Sequence, residues 1–156
     1  MLLRLIAAGT KLPSWMNEGV AEYAARLKGN DYKFELVEIP LGRHGAGDPK
    51  RAVAQEGERM LAALSAKSFV VALQVTGQTQ STEQLAKFLE SRALDGHDLA
   101  FCIGGPEGLA PEIDIRAKMR WSLSTLTLPH GLARVVAAEA LYRAVSVIKG
   151  LPYHRA

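Results

Sequence analysis

The stretch from Leu99 to Leu109, LAFCIGGPEGL, constrains the fold more than any other part of the chain. Leu99-Ala100-Phe101-Cys102-Ile103 is apolar throughout, with no polar residue to alternate against, which is the pattern of a strand covered on both faces in a parallel sheet. It breaks at once into Gly104-Gly105-Pro106-Glu107-Gly108, where the glycines permit a sharp turn and no Cβ holds a ligand away from the main chain. Ligands of open α/β sheets settle just past the carboxyl ends of strands, the place this loop occupies. The loop taken alone fits an ordinary strand-to-helix turn equally well.

The rest of the chain alternates strands with helices. Leu2–Ala8 reads as a strand ended by Gly9-Thr10, and Pro13-Ser14-Trp15 opens a helix to about Leu27. Phe34–Ile39 alternates apolar and acidic residues, a strand with one wetter face. Gly42–Arg51, rich in glycine and basic residues, reads as a mobile surface loop or a phosphate contact, and a helix follows from about Lys50 to Leu64. Phe69–Val75 is a third, central strand with 76–80 as its exit loop, and Ser81 with Gln84 forms a capping-box pattern for a helix to about Leu94. A helix is predicted over Pro111–Lys118. Trp121–Leu128 then alternates strictly before Pro129-His130-Gly131, and Leu132 to about Ile148 is a strong helix former. The expectation is an α/β fold, a mainly parallel sheet flanked by helices, in a single domain over residues 1–156.

Two segments depart from a simple α/β domain. The last helix is apolar nearly all round, interrupted only by Arg134, Glu139, Arg143 and Ser146, so another subunit is the natural cover for it. The hydroxyls of Ser122, Ser124, Thr125 and Thr127 could line a small-molecule site. Charge points the same way. The net charge of +3 lies wholly in the last 28 residues, because residues 1–128 carry 15 basic and 15 acidic side chains, while 129–156 carry Arg134, Arg143, Lys149 and Arg155 against Glu139 alone. That clustering suits a polyanion such as RNA, or a solvated basic tail. The one cysteine, Cys102, reads as a small core residue rather than a nucleophile. No apolar run approaches the ~20 residues needed to cross a bilayer, and the cytoplasm is the expected compartment.

Five motifs in this order resemble one family over essentially the whole chain: GTK-P-W at Gly9–Trp15, IGGPEGL at Ile103–Leu109, WSLSTLTLPH at Trp121–His130, EALYRA at Glu139–Ala144 and PYHR at Pro152–Arg155. The family is that of the bacterial 23S rRNA pseudouridine N3-methyltransferases (RlmH), of the SPOUT class. The resemblance implies a C-terminal trefoil knot, a homodimer and S-adenosyl-L-methionine as methyl donor. It also implies a donor site made by Leu73, Gly104, Leu123, Ser124, Thr125, Leu126, Thr127 and Leu128, and a substrate pseudouridine in 23S rRNA within the assembled 70S ribosome. A knot is not legible in periodicity, since chains as a rule do not thread themselves.

A methylsulfonium donor carries its own electrophilic methyl, so neither a metal nor a covalent nucleophile is required. The protein must align donor and acceptor within about 3–3.5 Å and manage one proton. The basic, mobile tail supplies candidates: His154 to accept or relay the proton, Arg155 and Arg143 to bind phosphate or a developing oxyanion, and Tyr153 to stack on a base. Arg143 has a second reading, an i,i+4 pair with Glu139. Glu107 either caps the following helix or hydrogen-bonds the donor. His130 is expected to shape the turn after Leu128, His97 to sit beside the Asp95-Gly96 turn and His44 to lie in the glycine-rich loop, and none of the three is expected to be catalytic. Two rival functions are a non-enzymatic ribosome- or RNA-binding module of the same fold and a SPOUT methyltransferase acting on another RNA such as tRNA.

Overall fold

The computed structural model describes residues 1–29, 31–42 and 48–155; most of the glycine-rich loop (43–47, with His44) and the terminal Ala156 lie outside the described residues. Strands β1 (Leu2–Ala8), β2 (Lys33–Ile39), β3 (Phe69–Thr79), β4 (Leu99–Ile103) and β5 (Met119–Ser122) form one sheet. Its order is β2-β1-β4-β3-β5, and every neighbouring pair is parallel. The helices are α1 (Ser14–Arg26), α2 (Pro49–Ala63), α3 (Thr82–Leu94), α4 (Pro111–Arg116) and α5 (His130–Ile148), with a 3-10 turn over Pro152–Arg155.

The apolar run that opened the sequence reading is buried on both faces, as expected. Leu99, Phe101 and Ile103 point into one core with Leu3, Leu5 and Ala7 of β1, roofed by Leu85 and Leu89 of α3 and Ala137, Leu141 and Val145 of α5. Ala100 and Cys102 point the other way, with Ile6 and Ala8, against Met60 of α2 and Ile113 of α4. Burial of a side chain the size of Phe101 stabilises the fold by about 1.5–3 kcal/mol. Cys102 is fully buried, and burial pushes its thiol pKa up to about 12. A thiol-specific reagent at pH 8 is therefore expected to leave the folded protein unlabelled and to label it fully in denaturant; rapid labelling of native protein would contradict this packing.

Three segments differ from the sequence expectation. The third strand does not end at Val75 but continues through the 76–79 segment, with a register shift between Leu73 and Gln78 against β5. Gly77 allows this, because a Cβ there would sit 2.7 Å from the Arg120 carbonyl carbon. Of the alternating run 121–128, only Trp121 and Ser122 are strand. The Ser122 hydroxyl donates to the Ser124 carbonyl at 2.8 Å and Ser124 Oγ accepts the Leu126 N–H at 3.0 Å, local bonds that turn the chain away from the ladder. Helix α4 stops at Arg116, two residues short of the prediction. The capping box at Ser81 and Gln84 is present as read.

Helix α5 lies on the sheet between α1 and α3, and so much of its apolar surface is covered within the chain. Leu132, Val136 and Ala140 remain half-buried along its outer side. Arg134, which looked like a polar interruption, is fully buried. The C-terminal tail is not free: its 3-10 turn packs back on α5.

Candidate active site

A cleft of about 960 Å³ opens at the carboxyl edge of the sheet, walled by the loop after β4, the segment after β5 and residues 73–76 of β3. Leu73, Gly104, Leu123, Ser124, Leu126, Thr127 and Leu128 all line it. Thr125, the remaining donor-site expectation, is exposed and does not line it, because the bonds made by Ser122 and Ser124 turn it outward. The glycine loop closes on itself: Gly108, at φ +87°, donates its N–H to the Gly105 carbonyl at 3.0 Å. A Cβ on Gly104 would lie 2.5 Å from both the Gly108 carbonyl oxygen and the Leu109 nitrogen. This wall is main chain for a steric reason, with no space for any side chain at Gly104.

The cleft also contains polar residues that the sequence reading passed over. Asp114 of α4 accepts from Gln74 Nε2 at 2.6 Å and from Arg120 Nε and Nη2 at 3.0 and 2.9 Å, so its carboxylate is fixed beside the middle of β3. His130, at the start of α5, lines the cleft as well. Glu107 is exposed and outside the cleft lining, and the N-cap of α4 is Ala110 with no side-chain hydrogen bond, so Glu107 does not cap it.

Behind the cleft, Arg134 donates to the carbonyls of Ala8 at 3.0 Å and Gly9 at 2.6 Å and pairs with Glu38 at 2.8 Å. It thereby fixes the exit of β1, where Gly9 takes φ +115°. Glu56 of α2, also buried, accepts the Gly42 N–H at 3.2 Å through Oε2, while its Oε1 has no hydrogen-bond partner among the described residues. An arginine one turn after His130 in an otherwise apolar helix was the available sequence signal for this cluster.

The tail candidates gather elsewhere. The Tyr153 hydroxyl meets Glu139 Oε1 at 3.2 Å and the Tyr23 hydroxyl at 3.3 Å, and its ring packs 4.7 Å from that of Tyr142. Burial and these partners push the Tyr153 pKa upward, so the hydroxyl stays protonated. Arg143 holds Glu139 at 2.7 and 2.8 Å, the i,i+4 pair, with its guanidinium 5.0 Å from the Tyr153 ring centre. His154 has its Nδ1 buried without a partner among the described residues, and Arg155 is exposed. These residues are brought together with one another but not with the cleft: Glu139 lies nine residues beyond His130, or about 14 Å along the helix axis. His97 sits near the opposite edge of the sheet, its ring 6.2 Å from Phe69. Among the described residues there is no cluster of His, Cys, Asp or Glu able to hold a metal ion, and no helix is long and apolar enough to cross a membrane.

A family model described as "Predicted SPOUT methyltransferase" matches residues 1–154. The chain is 54% identical over 157 aligned positions to the ribosomal RNA large subunit methyltransferase H of Alkalilimnicola ehrlichii, with all of both chains covered. It is 52% identical, again over the full length of both, to the protein of the same name from Stenotrophomonas maltophilia strain R551-3. Its fold is like that of the tRNA (m1G37) methyltransferase from Aquifex aeolicus, with a TM-score of 0.55 and 17% identity over 92% of this chain and 70% of that one. A parallel α/β sheet, a glycine-walled cleft at its carboxyl edge and a match along almost the whole sequence agree: the chain belongs to the SPOUT methyltransferase family.

Proposed function

We propose that this protein transfers the methyl group of S-adenosyl-L-methionine to large-subunit ribosomal RNA, at N3 of a pseudouridine in 23S rRNA on the assembled 70S ribosome, acting as a homodimer in the cytoplasm. The observation that carries the reading is the glycine wall: main chain at Gly104 with no room for a side chain, facing leucines across a deep cleft. The names of the full-length relatives support the rRNA target.

The residues present fit such a donor. The cleft has the size of a small-molecule site, and Leu73, Leu123, Leu126 and Leu128 offer apolar walls for a flat base. Main-chain groups of the 104–108 and 123–128 segments supply hydrogen bonds without long side chains. When bound, the sulfonium supplies an electrophilic methyl. What the chain must do is exclude water, hold the acceptor in line and receive a proton.

The tail residues take the RNA side of the reaction in this proposal. Arg143 and Arg155 bind phosphate or the charge that develops on the base, His154 passes the released proton on to solvent and Tyr153 orders the tail. Because the tail docks on α5 well away from its own chain's cleft, a second copy has to bring it there, which is the physical case for a homodimer. The C-terminal knot belongs to the same proposal: it would lock the 123–128 segment beside the glycine loop.

Mass mapping of ribosomal RNA from cells with and without this protein tests the reading. The expected result is one additional methyl on a pseudouridine of 23S rRNA, formed on 70S particles and not on free subunits. An rRNA methylation pattern that does not depend on the protein would leave a ribosome-binding module, and a methyl found on tRNA would move the substrate.

A further inference from the structure

We propose that His130 is a catalytic residue: the imidazole that takes the proton from the acceptor nitrogen at the donor cleft. The inference rests on the methyl-transfer reading above but concerns a residue that neither the tail nor the donor-binding segments include. Among the described histidines, His130 lines the cleft together with Gly104 and Leu128. His154 is tied to the far part of α5, and His97 lies near Phe69.

The position is built rather than incidental. His130 opens α5 directly after Pro129, whose carbonyl accepts the Ala133 N–H at 2.9 Å. The next residue, Gly131, is wedged against α1 and the loop before it: a Cβ there would stand 2.5 Å from Met16 Sδ and 3.2 Å from Leu12. On its other side the imidazole meets the β1 exit, where a Cβ on Gly9 would come within 3.4 Å of Nε2. Gly9 is itself pinned, by its N–H to the Ile39 carbonyl at 2.7 Å and by Arg134 on its own carbonyl at 2.6 Å. The ring is therefore held where the exits of β1, β4 and β5 converge, partly buried and lining the cleft.

Its electrostatic setting suits a base. Burial first, then the cation of Arg134, lowers the His130 pKa below its ordinary value, and Glu56 partly opposes them. Among the described residues, the charged groups around it are Arg134 on α5, Glu56 on α2, Glu38 on β2 (neutralising Arg134) and Asp114 of α4 on the same cleft, already engaged by Gln74 and Arg120. The imidazole is neutral at neutral pH and able to accept. As the acceptor nitrogen forms its bond to the methyl carbon, its N–H bond breaks and the proton passes to the ring. The C–S pair of the methylsulfonium donor stays on sulfur, leaving a neutral thioether and an imidazolium that returns its proton to water.

The test uses the full-length protein, labelled S-adenosylmethionine and 70S ribosomes from cells lacking the modification. His130→Gln is expected to bind the donor calorimetrically within threefold of the wild type while its single-turnover rate falls about 100-fold or more. In His130→Ala, added imidazole is expected to restore at least tenfold of the lost rate. Two measurements need no variant at position 130. The His130 ring resonances of wild-type protein should titrate below pH 6.5, and the wild-type rate should fall as pH drops through that same value, with the inflection retained in His154→Ala. A His130→Gln rate within threefold of wild type, a loss of donor binding in that variant, or a flat acid limb overturns the proposal. Failure of the wild-type protein to methylate any ribosomal RNA would instead overturn the function on which it rests.

Discussion

Gly104→Val is expected to eliminate measurable S-adenosylmethionine binding, raising the dissociation constant 100-fold or more in a calorimetric titration. The expectation comes from sterics. A Cβ at this position would lie 2.5 Å from the Gly108 carbonyl oxygen and the Leu109 nitrogen, both main-chain atoms that no rotamer change can move aside. The glycine loop must then swing, and it swings into the cleft or away from the leucines of 123–128. Either movement removes the main-chain wall. The β-branch adds two methyl groups to the same collision. The sheet core does not depend on this loop, so the far-ultraviolet circular dichroism is expected to stay native. Normal donor binding by Gly104→Val would show that the cleft described here is not the donor site.

Arg134→Met is expected to be the most damaging single substitution for stability, costing about 3 kcal/mol in urea unfolding. The guanidinium is fully buried and satisfies the carbonyls of Ala8 and Gly9 as well as Glu38. Methionine keeps much of the volume and none of the donors. Two carbonyls at the end of β1 are then left without partners in a region closed to water, and that accounts for most of the loss. Glu38 contributes less, because its side chain is 36% exposed and water can take over part of its solvation. A change below 1 kcal/mol would mean that the β1 exit finds other partners. The same variant also frees Gly9 beside His130, so reduced methyl transfer is expected to accompany the lost stability.

Much of the architecture was legible because it follows from local pattern. A five-residue apolar run with no alternation announces a strand buried on both faces, and β4 is one. Ser81 and Gln84 announce a helix start through chemistry confined to four residues. Where long-range packing decides, the pattern misleads. Gly77 looks like punctuation, yet it lets β3 continue because the β5 backbone passes so close that a side chain would collide with it. The alternation over 121–128 looks extended, yet serine hydroxyls capture neighbouring backbone groups after Ser122 and bend the segment into the cleft wall.

The site divides along the same line. The segments that wall the cleft carry their own signature, in glycines and hydroxyls, and all but Thr125 of the donor-site residues implied by the resemblance line it. Arg134, Glu56 and His130 carry little of it: Arg134 shows only as a cation in an apolar helix and His130 only as the residue after Pro129. Each is unexceptional in its own segment, and only the fold brings α5, α2 and the β1 exit together. The tail reads as mobile from its composition, whereas Tyr153 finds Glu139 on the far part of α5 and Tyr23 on α1.

The central claim is that Leu73 within β3 and the main-chain segments after β4 and β5 jointly hold a methylsulfonium donor. Titration of isotope-labelled protein with S-adenosylmethionine, followed through backbone amide resonances, tests it most directly. The account predicts saturable shifts at Leu73, Gly104, Leu126, Thr127 and Leu128, with little change at Tyr23 or His97. Saturable binding whose shifts fall instead around Lys67, His97 and Arg116, or no shift at any donor concentration, would contradict it.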